Sequence, residues 1–125
     1  MDIHQKYRVL GLMSGTSMDG LDCGLFDISL TTNFKLHWET LDFSTIPYNS
    51  KIRGIIEDAL DGDILREKIA NMTLGQVFHE YAMQFLDGRS IHLVGSHGQT
   101  ISHENGKYSQ QVGDPKYIAD SLGVP

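Results

Sequence analysis

The chain has 125 residues, 40% of them hydrophobic and 21% charged, enough for one folded domain or a piece of one. Sixteen acidic residues against ten basic ones leave a net charge of −6, which disfavours a nucleic-acid or anionic-membrane surface. A single cysteine, Cys23, excludes an internal disulfide framework. With no apolar run of membrane-spanning or signal-peptide length, a reducing cytoplasm is the expected compartment.

The first informative stretch is Gly11-Leu-Met-Ser-Gly-Thr-Ser-Met-Asp-Gly-Leu-Asp22. Apolar residues run into it (Val9, Leu10, Leu12, Met13) and out of it (Leu21, Cys23, Leu25), which predicts strand, tight turn, strand. Gly15 and Gly20 permit positive φ and leave backbone N–H groups uncovered, so the turn can form an anion-holding concavity. Thr16 and Ser17 add hydroxyl donors. Asp19 and Asp22 would repel a bare phosphate but suit one carrying Mg²⁺, so a metal-bound nucleotide phosphate is one expected ligand. An ordinary glycine-containing hairpin is the other reading of the same residues.

Several familiar motifs fail here. Gly15 to Gly20 has Walker A spacing, but Leu21-Asp22 stands where Lys-Ser/Thr is required. The pattern Gly11-x-x-x-Gly15 is not a dinucleotide fingerprint, and Asp19 occupies the last position of what would be a nucleophile elbow. Gly15-Thr-Ser-Met18 resembles the segment around a subtilisin-type serine, and Ser96-His97-Gly98 faintly echoes the histidine segment of that class. A serine hydrolase using Ser17 and His97 is therefore an alternative, although the residue order is inverted and that serine should open a helix. A non-catalytic sugar- or nucleotide-binding domain is a third reading.

Farther along, Asp27 to Asn33 reads as a loop and Leu36 to Phe43 as a third strand of an antiparallel meander, with Trp38 in the core and His37 on the strand surface. Pro47 is placed in the first turn of a helix whose buried face is Ile52, Ile55, Ile56, Ala59 and Leu60, ending near Asp61-Gly62. Asp63 caps a second helix with the stripe Leu74, Val77, Phe78, Tyr81, Ala82 and Phe85, closed by Asp87-Gly88; His79 beside it has no obvious chemical partner in the sequence and reads as a surface or core-edge residue. Ile91 to Gly95 predicts a short buried strand leading into the polar cluster Ser96-His-Gly-Gln-Thr100, at a strand end where open α/β sheets place ligands. Asn105-Gly106 marks a hairpin, and Asp114-Pro115 the cap and first residue of a last helix, with Ile118, Ala119 and Leu122 facing inward and Gly123 ending it. This order leads to the expectation of a further parallel strand, and of a chain that is the first part of a longer protein.

Gly11 to Asp22, Gly95-Ser-His-Gly-Gln-Thr100 and Gly113-Asp-Pro115 together resemble the N-terminal part of anhydro-N-acetylmuramic acid kinases, over nearly the whole chain. The resemblance implies an α/β, RNase H-like domain of the actin, hexokinase and chaperone-ATPase class. Its three-stranded antiparallel meander, parallel strand and helices would be incomplete at the C-terminus and would form residues 1–125 of a larger two-domain kinase. It further implies ATP and Mg²⁺ as cofactors and phosphorylation of O6 of 1,6-anhydro-N-acetylmuramic acid with hydrolytic opening of the anhydro bridge, in peptidoglycan recycling. Carried onto this sequence, Gly15, Thr16, Ser17, Met18, Asp19, Gly20, Leu21 and Asp22 form the ATP phosphate turn, with Asp19 toward Mg²⁺. Ser14, His97, Gln99 and Thr100 line the sugar side; His97 has the alternative of bonding backbone within its own loop, and Asp114 reads as a helix cap. The aspartate general base is expected beyond residue 125, so the fragment alone is expected to be inactive, and the parent is expected to be a homodimer.

Overall fold

A computed structural model of the chain describes residues 5–60, 62–104 and 108–125, without the side chains of residues 102–104, 108 and 109. Eight elements run β1 (Lys6–Ser14), β2 (Gly20–Leu30), β3 (Leu36–Pro47), α1 (Ser50–Leu60), α2 (Ile64–Leu86), β4 (Leu93–Glu104), β5 (Tyr108–Val112) and α3 (Lys116–Leu122). The strands form one mixed sheet in the order β3-β2-β1-β4-β5, with β1 and β4 parallel and the other pairs antiparallel. This is the expected α/β arrangement: a meander, a helical crossover, and a parallel strand returned beside β1.

Alternation decides which face is covered. Leu10, Leu12 and Ser14 of β1 and Leu21, Cys23 and Leu25 of β2 are buried, and they meet Ile52, Ile56 and Ala59 of α1 and Leu74, Phe78, Ala82 and Leu86 of α2 in one core. The intervening residues look the other way, and Met13, Phe43 and His97 are exposed there. Asp63 caps α2 by accepting from the Arg66 N–H at 3.0 Å, and Asp87 ends it in a left-handed conformation with its N–H on the Met83 carbonyl. Among the described residues, no helix is long and apolar enough to cross a membrane.

The structure corrects the sequence reading in several places. Residues 27–30 continue β2 instead of forming a loop, because each pairs with β3 across a bulge between Leu25 and Phe26. Pro47 closes β3, and it is Asn49 that starts α1: its side chain accepts from the Ile52 N–H at 2.8 Å. Trp38 is 67% exposed, since β3 is an edge strand and burial under the helices stops at the first half of β2. Residues 96–100 are strand, not loop; β4 runs through them with a register shift opposite β1, and Gly98 takes a φ of 81°. In α3, Pro115 precedes the helix, Asp114 accepts from the Lys116 N–H at 3.0 Å, and Ala119 is exposed while Ile118 is buried. The Asn105-Gly106 turn lies outside the described residues, though its flanking strands are paired.

Gly113-Asp-Pro115 turns out to be packing. At a φ of 116°, Gly113 presses against the Phe78 ring, where a Cβ would come within 2.3 Å, while Asn71 of α2 bonds the N–H groups of both Gly113 and Asp114.

Gly20 also differs from expectation. Its φ is not positive; instead the β3 backbone leaves no room, and a Cβ would sit 2.5 Å from the Ile46 carbonyl oxygen. At Gly15 the nearest atom to a Cβ would be Ser17 Oγ at 3.9 Å. Gly20→Ala is therefore expected to destabilise by about 1–3 kcal/mol in denaturant unfolding, with Gly15→Ala within about 0.5 kcal/mol of the parent; equal costs would contradict the close approach. Burial, with the Asp22 charge adding to it, pushes the Cys23 thiol up to about 11. At about pH 8 its reaction with a disulfide reagent should run roughly a hundredfold slower than that of a free thiol, and return to normal in guanidinium.

Candidate functional site

The parallel pairing of β1 with β4 sets the polar end of one strand beside that of the other, with Ser14 opposite Gln99. The turn that leaves β1 and the Ser96–Thr100 segment of β4 thus lie on neighbouring inner strands of the sheet, although more than 80 residues separate them in sequence. The sequence named both, and the fold brings them together.

The turn is tight. The Met18 N–H donates to the Gly15 carbonyl at 3.1 Å, and Met18 itself adopts a left-handed φ of 58° while its side chain packs on the core. Non-glycine residues accept that conformation at a cost, so Met18 and neither glycine supplies the turn's reversal. Thr16, Ser17 and Asp19 are exposed, and among the described residues their N–H groups make no hydrogen bond. Three backbone donors within four residues are thus left unbonded beside a left-handed residue, the backbone ingredients of an anion-holding nest. Two hydroxyls and the Asp19 carboxylate belong to the same exposed turn.

The remaining predicted residues separate. Leu21 is fully buried and belongs to the core. Asp22 stands in β2 on the outer face, where it accepts from the Thr45 hydroxyl at 2.6 Å. His97 lies on that face too, and its Nδ1 is 3.2 Å from the Gly98 carbonyl, to which the Nδ1–H tautomer donates; the backbone-bonding alternative for His97 is thus formed. Thr100 accepts from Gln111 of β5 at 3.4 Å. Among the described residues Ser17 makes no hydrogen bond to His97, so the nucleophile and base pairing of a hydrolase is absent. Ser14 and Gln99, expected to line an open sugar site, are 2% and 0% exposed and are bonded to each other.

That bond belongs to a directed chain which the sequence reading missed. The Ser14 hydroxyl donates to Gln99 Oε1, so the proton between Ser14 and Tyr48, 2.7 Å apart, must come from Tyr48. Gln99 Nε2 then donates to the Thr100 carbonyl at 3.2 Å. Burial holds the Tyr48 phenol above its ordinary range, the Ser14 hydrogen bond opposing, so the group stays protonated and remains a donor. A lone tyrosine after a strand carries no sequence signal for this role.

On the outer face, Gly24, Gly11 and Gly95 stand side by side on β2, β1 and β4. With no side chains there, they floor a trough of about 420 Å³ walled by Phe26, Phe43 and Met13, with Asp22 and His97 at its rim.

Comparison with known proteins agrees with the motifs. The family described as anhydro-N-acetylmuramic acid kinase matches residues 7–125. Curated proteins of that name share 33% identity with the chain in Cyanothece sp., 36% in Caldanaerobacter subterraneus subsp. tengcongensis and 35% in Coxiella burnetii. These matches cover 94%, 96% and 95% of the chain and 33%, 34% and 33% of the relatives, so the chain spans about a third of their length. The unbonded turn amides, the β1–β4 pairing behind them and these matches converge: the chain belongs to the anhydro-N-acetylmuramic acid kinase family.

Proposed function

We propose that the chain is the N-terminal, phosphate-gripping part of a cytoplasmic two-domain kinase that transfers the γ-phosphoryl group of ATP to O6 of 1,6-anhydro-N-acetylmuramic acid while water opens the anhydro bridge. The observation that carries this reading is the row of free N–H groups at Thr16, Ser17 and Asp19. Donors left unbonded in the ground state cost no reorganisation when charge develops on a transferring phosphoryl group. The Thr16 and Ser17 hydroxyls add to them.

Mg²⁺ fits this turn as an ion carried by the nucleotide. No group of three or more His, Cys, Asp or Glu residues able to cage a metal occurs among the described residues, whereas Asp19 offers one exposed carboxylate beside the anion site. Magnesium is commonly held by one or two carboxylates plus substrate phosphates. When bound, it would neutralise charge on the phosphates; Asp19 would hold it directly or through water.

The sugar would lie on the β4 side of the turn, met by His97 and Thr100, with Ser14 and Gln99 as the buried pair that sets their spacing. The general base is assigned to neither Asp19, at the turn, nor Asp22, which is bonded to the Thr45 hydroxyl; it is expected outside these 125 residues, which alone should transfer no phosphate. The parent would act as a homodimer in peptidoglycan recycling.

The test is a titration of ¹⁵N-labelled chain with ATP, with and without Mg²⁺. The Thr16, Ser17 and Asp19 amide signals should move first. Removing one charge beside the site changes binding by about fivefold, in opposite directions: Asp19→Asn should weaken Mg²⁺-ATP and strengthen metal-free tripolyphosphate. Turn amides that stay still at saturating nucleotide would remove the assignment.

A further inference from the structure

The turn's free amides raise the question of what holds its shape, since a loop that keeps its donors unbonded cannot be fixed by them. Tyr48 answers it. This residue lies between β3 and α1, is 4% exposed, and touches both arms of the turn from behind. Its phenol bonds the Ser14 hydroxyl at 2.7 Å, at the end of β1, and its backbone N–H donates to the Asp19 carbonyl at 2.8 Å, just before β2. The residue is itself held: its ring stacks on Tyr81 of α2 with centroids 6.1 Å apart, and the Tyr81 hydroxyl donates to the adjoining Pro47 carbonyl at 3.2 Å.

We propose that Tyr48 is the positioning residue of the phosphate turn: by bonding Ser14 on one arm and Asp19 on the other, it fixes how widely the N–H groups between them open toward a polyphosphate. This rests on reading the turn as a phosphate grip. Through Ser14 the same tie continues to Gln99, so one tyrosine sets the turn relative to β4 as well. The stack on Tyr81 connects this unit to the C-terminal part of α2, which gives the turn a rigid support outside its own five residues.

The test compares Tyr48→Phe with Tyr81→Phe in the 125-residue chain. Both remove one phenol hydroxyl from the same stack, but only the first touches the turn. Two quantities are read well below the melting midpoint: hydrogen exchange of the Met18 and residue-48 amides, which are bonded to Gly15 and Asp19, and the affinity for Mg²⁺-tripolyphosphate. Tyr48→Phe should accelerate both exchange rates and weaken the polyphosphate by about fivefold, the effect of one lost hydrogen bond, with Tyr81→Phe close to the parent in each. Unchanged exchange and affinity in Tyr48→Phe, with the parent chain binding normally, overturn the proposal. Equal losses in both variants also overturn it, since the stack as a whole would then be responsible. A parent chain that ignores polyphosphate removes the phosphate reading itself, a separate outcome visible before any variant is made. Should Tyr48→Phe fail to fold, Ser14→Ala removes the same contact together with the Gln99 bond, and unchanged exchange and affinity in that variant overturn the proposal.

Discussion

Everything at the candidate site depends on the parallel register of β1 and β4. Parallel neighbours need a crossover, here supplied by α1 and α2, so this pairing alone joins a motif near residue 15 to one near residue 97. The register places Ser14 opposite Gln99, and the side chains seal it with a buried hydrogen bond. A slip of one residue along β4 would turn Gln99 to the outer face and bring an unmatched neighbour under the turn.

Two polar side chains in an otherwise apolar interior need justification. An unpaired buried hydroxyl or amide costs about 1–3 kcal/mol, more than a typical hydrogen bond returns. The chain Tyr48 to Ser14 to Gln99 to the Thr100 carbonyl offsets that cost by giving each of the three side chains a partner. Such a network contributes modestly to stability and more to uniqueness, because a shifted register would separate its members. Its two ends lie under the turn at residues 15–19 and within β4, so the specificity of the fold and the geometry of the candidate site rest on the same interaction.

Much of this was legible in the residues. Alternating apolar positions in β1 and β2 and the 3.6-residue stripes of α1 and α2 fix the covered face, and the two polar motifs do fall on neighbouring strands, although the second lies within β4 and not at its end. What was not legible has a common cause: it depends on neighbours in space. Trp38 reads as core by type, yet an edge strand extends beyond the helical layer. Glycine at position 20 reads as a turn residue, but the β3 carbonyl beside it is the reason no side chain fits. The resemblance implies Ser14 and Gln99 as ligand contacts, whereas the partners that Ser14 bonds lie 34 and 85 residues away from it. Tyr48 shows no local pattern at all.

A turn that binds an anion, as proposed for residues 15–19, faces a contradiction that the surrounding structure has to resolve. Backbone donors reserved for a ligand cannot stabilise the free loop, and a loop of exposed small residues would otherwise sample many shapes, each ordered only when the ligand arrives. The one internal bond here, from Met18 to Gly15, closes the turn but leaves its tilt undefined, and it requires a left-handed methionine. The packing of the Met18 side chain on the core offsets that strain, and contacts at Ser14 and Asp19 define the tilt from outside. On the proposed reading the turn is preorganised by its frame, whose rigidity comes from a β-sheet register and a tyrosine stack behind it.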